Sequence, residues 1–182
     1  MPEKQRVRVG SGDVYIIPFT GTIPADNTIE TTTNHIGSIQ KGAFITYTSQ
    51  IIEVDADHLQ TISRFKGKES VTFKTSALEW NLDNLSQLSE GKLTDDDVTG
   101  VRTLKIGSFG AKKLTSYLVH FVSFANEDGY KVRTTLIGNA TNGFELPFNP
   151  DKESVINLEF KSLPMDSDGT QLIVTEGYEV ED

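Results

Sequence analysis

Apolar and polar residues alternate with a period of two over much of this chain. Val71, Phe73 and Thr75 interleave with Thr72, Lys74 and Ser76, and Ile156, Leu158 and Phe160 interleave with Asn157, Glu159 and Lys161. Successive side chains of a strand point to opposite faces, so both runs predict strands with one buried and one wet face. Further β-branched and aromatic runs lie at Gly12–Pro18, Phe44–Val54, Val101–Ile106, Tyr117–Phe124 and Val132–Ile137. Between the last two, Asn126-Glu127-Asp128-Gly129 supplies the turn chemistry of a hairpin.

One stretch follows a different period. Leu78, Leu82, Leu85 and Leu88 recur at the three- and four-residue spacings of an amphipathic helix packed on a sheet. Asn81 or Asp83 can cap its start and Gly91 can end it, ahead of a polar loop through Asp95-Asp96-Asp97. The pattern therefore predicts a mainly β fold, an antiparallel β-sandwich or barrel with one flanking α-helix and long projecting loops.

Three segments look unable to pack on that core alone. Phe19–Asn34 is rich in Thr, Pro, Asp and Asn and reads as a long loop. Thr48–Ser70 holds a charged section between two strands, and Met165–Asp182 carries one apolar patch, Leu172-Ile173-Val174. Structureless loops of ~15 residues are uncommon in a compact domain unless they bind something. Their number points to contacts with neighbouring subunits.

Composition narrows the classes. At 182 residues the chain suffices for a single domain that buries roughly 70% of its unfolded surface without disulfide or metal. There is no cysteine, which excludes a disulfide scaffold, thiolate metal sites and a cysteine nucleophile. The charged N-terminus, Met1 to Arg8, has no apolar stretch behind it, so no signal peptide is expected. No apolar run approaches the ~18–20 residues of a membrane span, so a soluble protein is expected. The formal net charge is −9, the opposite of the basic footprint that phosphate binding requires. Acidity of this kind keeps a protein soluble, and it also suits a surface that DNA passes without sticking.

Candidate chemistry is sparse. Gly10-Ser11-Gly12 lacks the Gly-Lys-Ser/Thr ending and the helix of a phosphate loop, and reads as a tight turn. Asp55-Ala56-Asp57-His58 and Asp95-Asp96-Asp97 lack calcium-loop spacing and read as solvated loops. His35, His58 and His120 offer no pair at helical ligand spacing, and His120, in a strand, faces solvent or a satisfied core partner. No Gly-x-Ser-x-Gly elbow occurs, and nothing singles out two carboxylates. Trp80, the lone tryptophan, sits where strand meets helix and reads as core or interface rather than as a stacking platform. Arg64-Phe65-Lys66-Gly67-Lys68 interleaves positive charge with an aromatic, but Glu69 follows at once, which favours an inter-subunit salt-bridge surface over a nucleic-acid contact. No catalytic residue, cofactor or metal site is expected.

In chain order come Gly12-Asp13-Val14-Tyr15-Ile16-Ile17-Pro18, a Thr-rich loop, Ile36-Gly37-Ser38-Ile39-Gln40-Lys41-Gly42, a long extended stretch and Val71-Thr72-Phe73-Lys74-Thr75-Ser76-Ala77-Leu78-Glu79-Trp80-Asn81. That ordered set resembles the tail-tube (major tail) proteins of long-tailed bacteriophages. The resemblance implies a single domain over 1–182 with an N-terminal arm at 1–11, a projecting loop at about 48–70 and a C-terminal arm at about 165–182. It implies a structural virion protein whose copies form hexameric rings, stacked into a tube around a tape-measure protein beside other tail proteins. Viral DNA then passes through the lumen without specific binding. The protein would be assembled in the host cytoplasm, with no membrane partner. Ile51, Ile52, Arg64, Phe65, Lys66, Leu172 and Ile173 are the expected inter-subunit contacts. The alternatives are another tail protein of related fold, such as a terminator or connector, and a β-sandwich carbohydrate-binding module using Trp80.

Overall fold

A computed structural model describes residues 11–56, 59–77, 81–107, 113–127, 129–146, 148 and 155–178. The elements are β1 (Gly12–Pro18), α1 (Asp26–Ile29), β2 (Ile39–Ala56), β3 (Leu59–Ala77), α2 (Leu82–Ser89), β4 (Lys92–Asp96), β5 (Val101–Lys105), β6 (Tyr117–Ser123), β7 (Tyr130–Ala140), β8 (Ile156–Leu163) and β9 (Ile173–Tyr178). Every ladder is antiparallel, and the main sheet runs β1-β6-β7-β8-β3-β2 with β9 also on β7. The fold is the mainly β sandwich with a flanking helix that the period-two pattern predicts.

β7 is where the sheet divides. Its Tyr130–Thr135 half pairs with β9 and its Ile137–Ala140 half pairs with β8, both on the edge away from β6. Gly138 sits at the β8 crossing, where an added Cβ would collide with the Lys161 carbonyl oxygen, so only glycine allows this approach. Beyond it the sheet curls until β1 and β2, at opposite ends of the strand order, come into contact. Val14 and Ile16 of β1, Val119 of β6, Phe73 of β3 and Leu158 and Phe160 of β8 share the enclosed core. Tyr117 meets Phe160 edge to face with ring centroids 6.3 Å apart.

The helix forms where the leucine spacing places it. The Asn81 side chain accepts from the Asn84 N–H at 2.8 Å, making Asn81 rather than Asp83 the cap, and Leu85 and Leu88 enter the core. Glu90, not Gly91, takes the left-handed conformation that ends it, with φ 55°. Leu78 and Trp80 lie outside the described residues, as do residues 1–10 of the expected N-terminal arm, Asp57, His58 and residues 179–182.

Four expected loops are structured. Asp95 and Asp96 belong to β4, paired with β5, and the Asp96 carboxylate accepts from the Val98 and Thr99 N–H groups to close the turn. Arg102 opposite spans Asp95 and Asp83, which supports strand pairing where loop polarity was read. Within 19–34, α1 forms and Ile29 is wholly buried. Within 165–182, β9 joins the chain's own sheet. Within 48–70, β2 and β3 form a ladder in which Ser49, Ile51, Ile52, Glu53 and Val54 stand opposite Glu69, Lys66, Phe65, Arg64 and Ser63.

Candidate assembly surface

The β2–β3 hairpin outruns the body that carries it. β8 covers β3 only over Thr72–Ala77, so from Leu59 to Lys68 the described ladder partner of β3 is β2 alone. Over 49–54 and 63–68 the arm is thus two-stranded, with exposed side chains on both faces. Isolated two-stranded ribbons are marginally stable in water, so the composition of each face matters.

One face is ionic. Tyr47, opposite Val71, continues the core-facing row outward through Ser49, Ile51 and Glu53. Arg64 donates from Nε to Glu53 at 2.7 Å, and Glu69 takes both the Lys66 ammonium and the Tyr47 hydroxyl. Lys66 Nζ also lies 5.3 Å from the centre of the Tyr47 ring. The hydrogen bond to Glu69, reinforced by Tyr47, raises the Lys66 pKa, and the same bonds hold the Glu69 carboxyl below its ordinary range.

The opposite face is apolar. Ile52 stands opposite Phe65, with Val54 two residues along and Gly67 beneath the Ile52 side chain. Ile52 is 48% exposed, Phe65 57% and Val54 40%. A cross-strand aliphatic–aromatic pair contributes ~0.2–1 kcal/mol to its own ladder, yet here half of each side chain still faces water.

Of the seven expected contact residues, five lie on this arm, split between its faces. Ile52 and Phe65 meet on the apolar side, and Ile51 lies opposite Lys66, beside Arg64, on the ionic side. The other two are elsewhere: Leu172 packs against the chain's own core and Ile173 opens β9 opposite Thr135. Arg64 and Lys66 find carboxylates within their own hairpin. Sequence reasoning placed Glu69 in a salt-bridge surface but did not single out Tyr47 and Val54, whose signal is the cross-strand register.

A second constellation lies on the outer face of β1, β6 and β7. His120, fully buried, contacts Thr135 Oγ1 through Nδ1 at 2.8 Å and Glu30 Oε1 through Nε2 at 3.2 Å. This is the satisfied core partner of the two sequence readings. Arg133 donates from Nε to the same Glu30 oxygen at 2.6 Å and reaches Asp26 at 3.5 Å. Asp26, Glu30 and His120 converge within 4.8 Å, and Arg133 Nε engages both carboxylates, so the cluster is an ion-pair network.

Comparison with protein families and with characterised proteins finds no match to this chain.

Proposed function

We propose that this chain is a self-assembling tail-tube subunit of a long-tailed bacteriophage virion. The observation that carries the reading is the arm within 48–70, which leaves Ile52, Phe65 and Val54 exposed on a ribbon that no other described element covers. Exposed apolar patches and uncovered strand edges are templates for association. A contact between unlike surfaces closes into a ring or continues as a tube. The ordered resemblance of the first half of the chain to tail-tube proteins supplies the geometry: six copies per ring, rings stacked around a tape-measure protein, DNA passing down the lumen. Six copies carry six times −9, or −54. Acidity of that size keeps a polyanion mobile instead of bound.

The test is negative-stain electron microscopy with light scattering on concentrated protein. Six-fold rings or hollow tubes support the reading. A protein that stays monomeric alone and also fails to extend preformed tail-tube ends overturns it.

A further inference from the structure

The segment from Asp26 to His35 lies over the outer face of β1, β6 and β7, and Ile36 at its end enters the enclosed core. On β6, Leu118, His120 and Val122 face away from the enclosed core, and the register places Ile137, Thr135 and Arg133 of β7 beside them. Leu118, His120, Ile137 and Ile29 are nonetheless almost fully buried. The backbone fastening is slight: Ile16 donates to the Asn34 carbonyl at 3.0 Å and Ile36 donates to the Val14 carbonyl at 3.1 Å. Ile29 is buried beneath the segment, Ile36 enters the enclosed core, and Asn84 donates from Nδ2 to the Ile36 carbonyl at 3.1 Å. His35 bonds Asp13, while the ionic fastening runs from Glu30 to Arg133 and His120.

We propose that Glu30, His120 and Arg133 form a proton-sensitive clasp that holds the 26–36 segment closed over the sheet and releases it when His120 becomes protonated. Every charged or titratable group around His120 enters this balance. α1 and its end present Asp26 and Glu30, and β7 presents Arg133 beside the Thr135 hydroxyl. β1 presents Tyr15, its ring 6.3 Å from the imidazole, and Asp13, which bonds His35 of the covering segment at 3.2 Å. Closing strips water from the imidazole and sets it beside a guanidinium that already satisfies Glu30. A second cation there gains attraction from the carboxylates but loses its hydration and meets Arg133. Burial prevails over the Glu30 hydrogen bond and lowers the His120 pKa below 6.5. The open form, with the ring in water, therefore binds the proton more tightly than the closed form. Closure is complete above pH 6.5 and weakens as pH falls below it. The inference concerns one chain and does not depend on assembly.

Native-state amide exchange on the intact protein tests it, corrected for the intrinsic pH dependence of exchange. The Glu30 and Ile36 N–H groups report the clasp, and the Thr141 N–H, bonded to Glu159 at 3.0 Å, reports the remote sheet. Between pH 6.5 and 5.5, about a unit above the ordinary 4.5 at which the Glu30 carboxyl of the open form titrates, opening at Glu30 and Ile36 rises at least about twofold relative to Thr141. The rise is no steeper than about tenfold per pH unit, the limit for one proton. A change under about twofold overturns the clasp. His120→Gln keeps an amide donor and acceptor but cannot titrate, so it abolishes this acid response. An unaltered response in that variant assigns the effect elsewhere and also overturns it. If the variant does not fold, the His120 ring resonances of the unaltered protein must titrate together with the opening, and their failure to do so is equally decisive.

Discussion

Ile52 faces Phe65 across the β2–β3 ladder, and neither is covered by any other part of the described chain. The relationship separates folding from assembly. Ile52→Asp with Phe65→Asp removes side chains that are about half exposed in the monomer and pack mainly on each other, so monomer stability changes by only about 1 kcal/mol. Tube or ring formation is expected to disappear, because two charges in a dry interface cost far more than that. Thermal unfolding and light scattering on the same sample read the two effects separately. Normal assembly by the double variant removes the apolar face from the interface. Ile51→Asp paired with Ile52→Asp loads both faces of the arm and gives the same loss if either face is contacted.

The α2 cap gives a second expectation. Asn81 accepts from the Asn84 N–H at 2.8 Å and holds a helix whose Leu85 and Leu88 are core residues. Asn81→Ala leaves that donor without its partner and costs about 1 kcal/mol by denaturant unfolding. Asn81→Asp retains an acceptor at the positive end of the helix and is close to neutral. Equal losses in both variants would show that the side chain acts through some other contact.

How much of this was legible follows from which forces are local. β1, β8 and α2 could be read because one face of each enters the core, which writes period two or 3.6 into the sequence, and β6 because burial on both faces writes a continuous β-branched and aromatic run. The distal arm has no core face, so Arg64, Lys66 and Glu69 looked like a loop until the register set Arg64 against Glu53. β9 was visible only as Leu172-Ile173-Val174, since Glu176 and Gly177 break its alternation and pairing with β7 supplies the rest. The contact between Glu30 and His120 spans 90 residues. No local pattern encodes such a pair, although a histidine in an apolar strand was the clue that a partner existed.

Gly138 limits how closely β7 and β8 can approach. Gly138→Ala places a methyl group against the Lys161 carbonyl, which is backbone and cannot swing aside. The ladder must separate locally, and a loss of about 2 kcal/mol or more is expected by denaturant unfolding. Gly177→Ala, where an added Cβ meets open space, is the control and stays within about 0.5 kcal/mol. A Gly138→Ala protein as stable as the control would mean that β7 and β8 do not meet at this register.

Glu30 makes the acid limb of stability measurable. Burial alone would raise its pKa, but hydrogen bonds from Arg133 and His120 together pull it below the ordinary 4.5. A carboxyl held low in the folded state contributes stability above its unfolded value and loses it as pH falls through the folded one. The Glu30 contribution is therefore full at neutral pH and fades below pH 4.5. Glu30→Gln removes it and leaves Arg133 with the longer contact to Asp26, at 3.5 Å. The variant should be less stable at neutral pH by about 1–2 kcal/mol, a figure kept modest because Asp26 opens the cluster to water. The difference from the unaltered protein should then narrow in acid, as the native carboxylate gains its proton. Chemical denaturation at a series of pH values reads this directly. A difference that stays constant down to pH 3, well under the ordinary value of 4.5, would mean that Glu30 acts by packing rather than by charge.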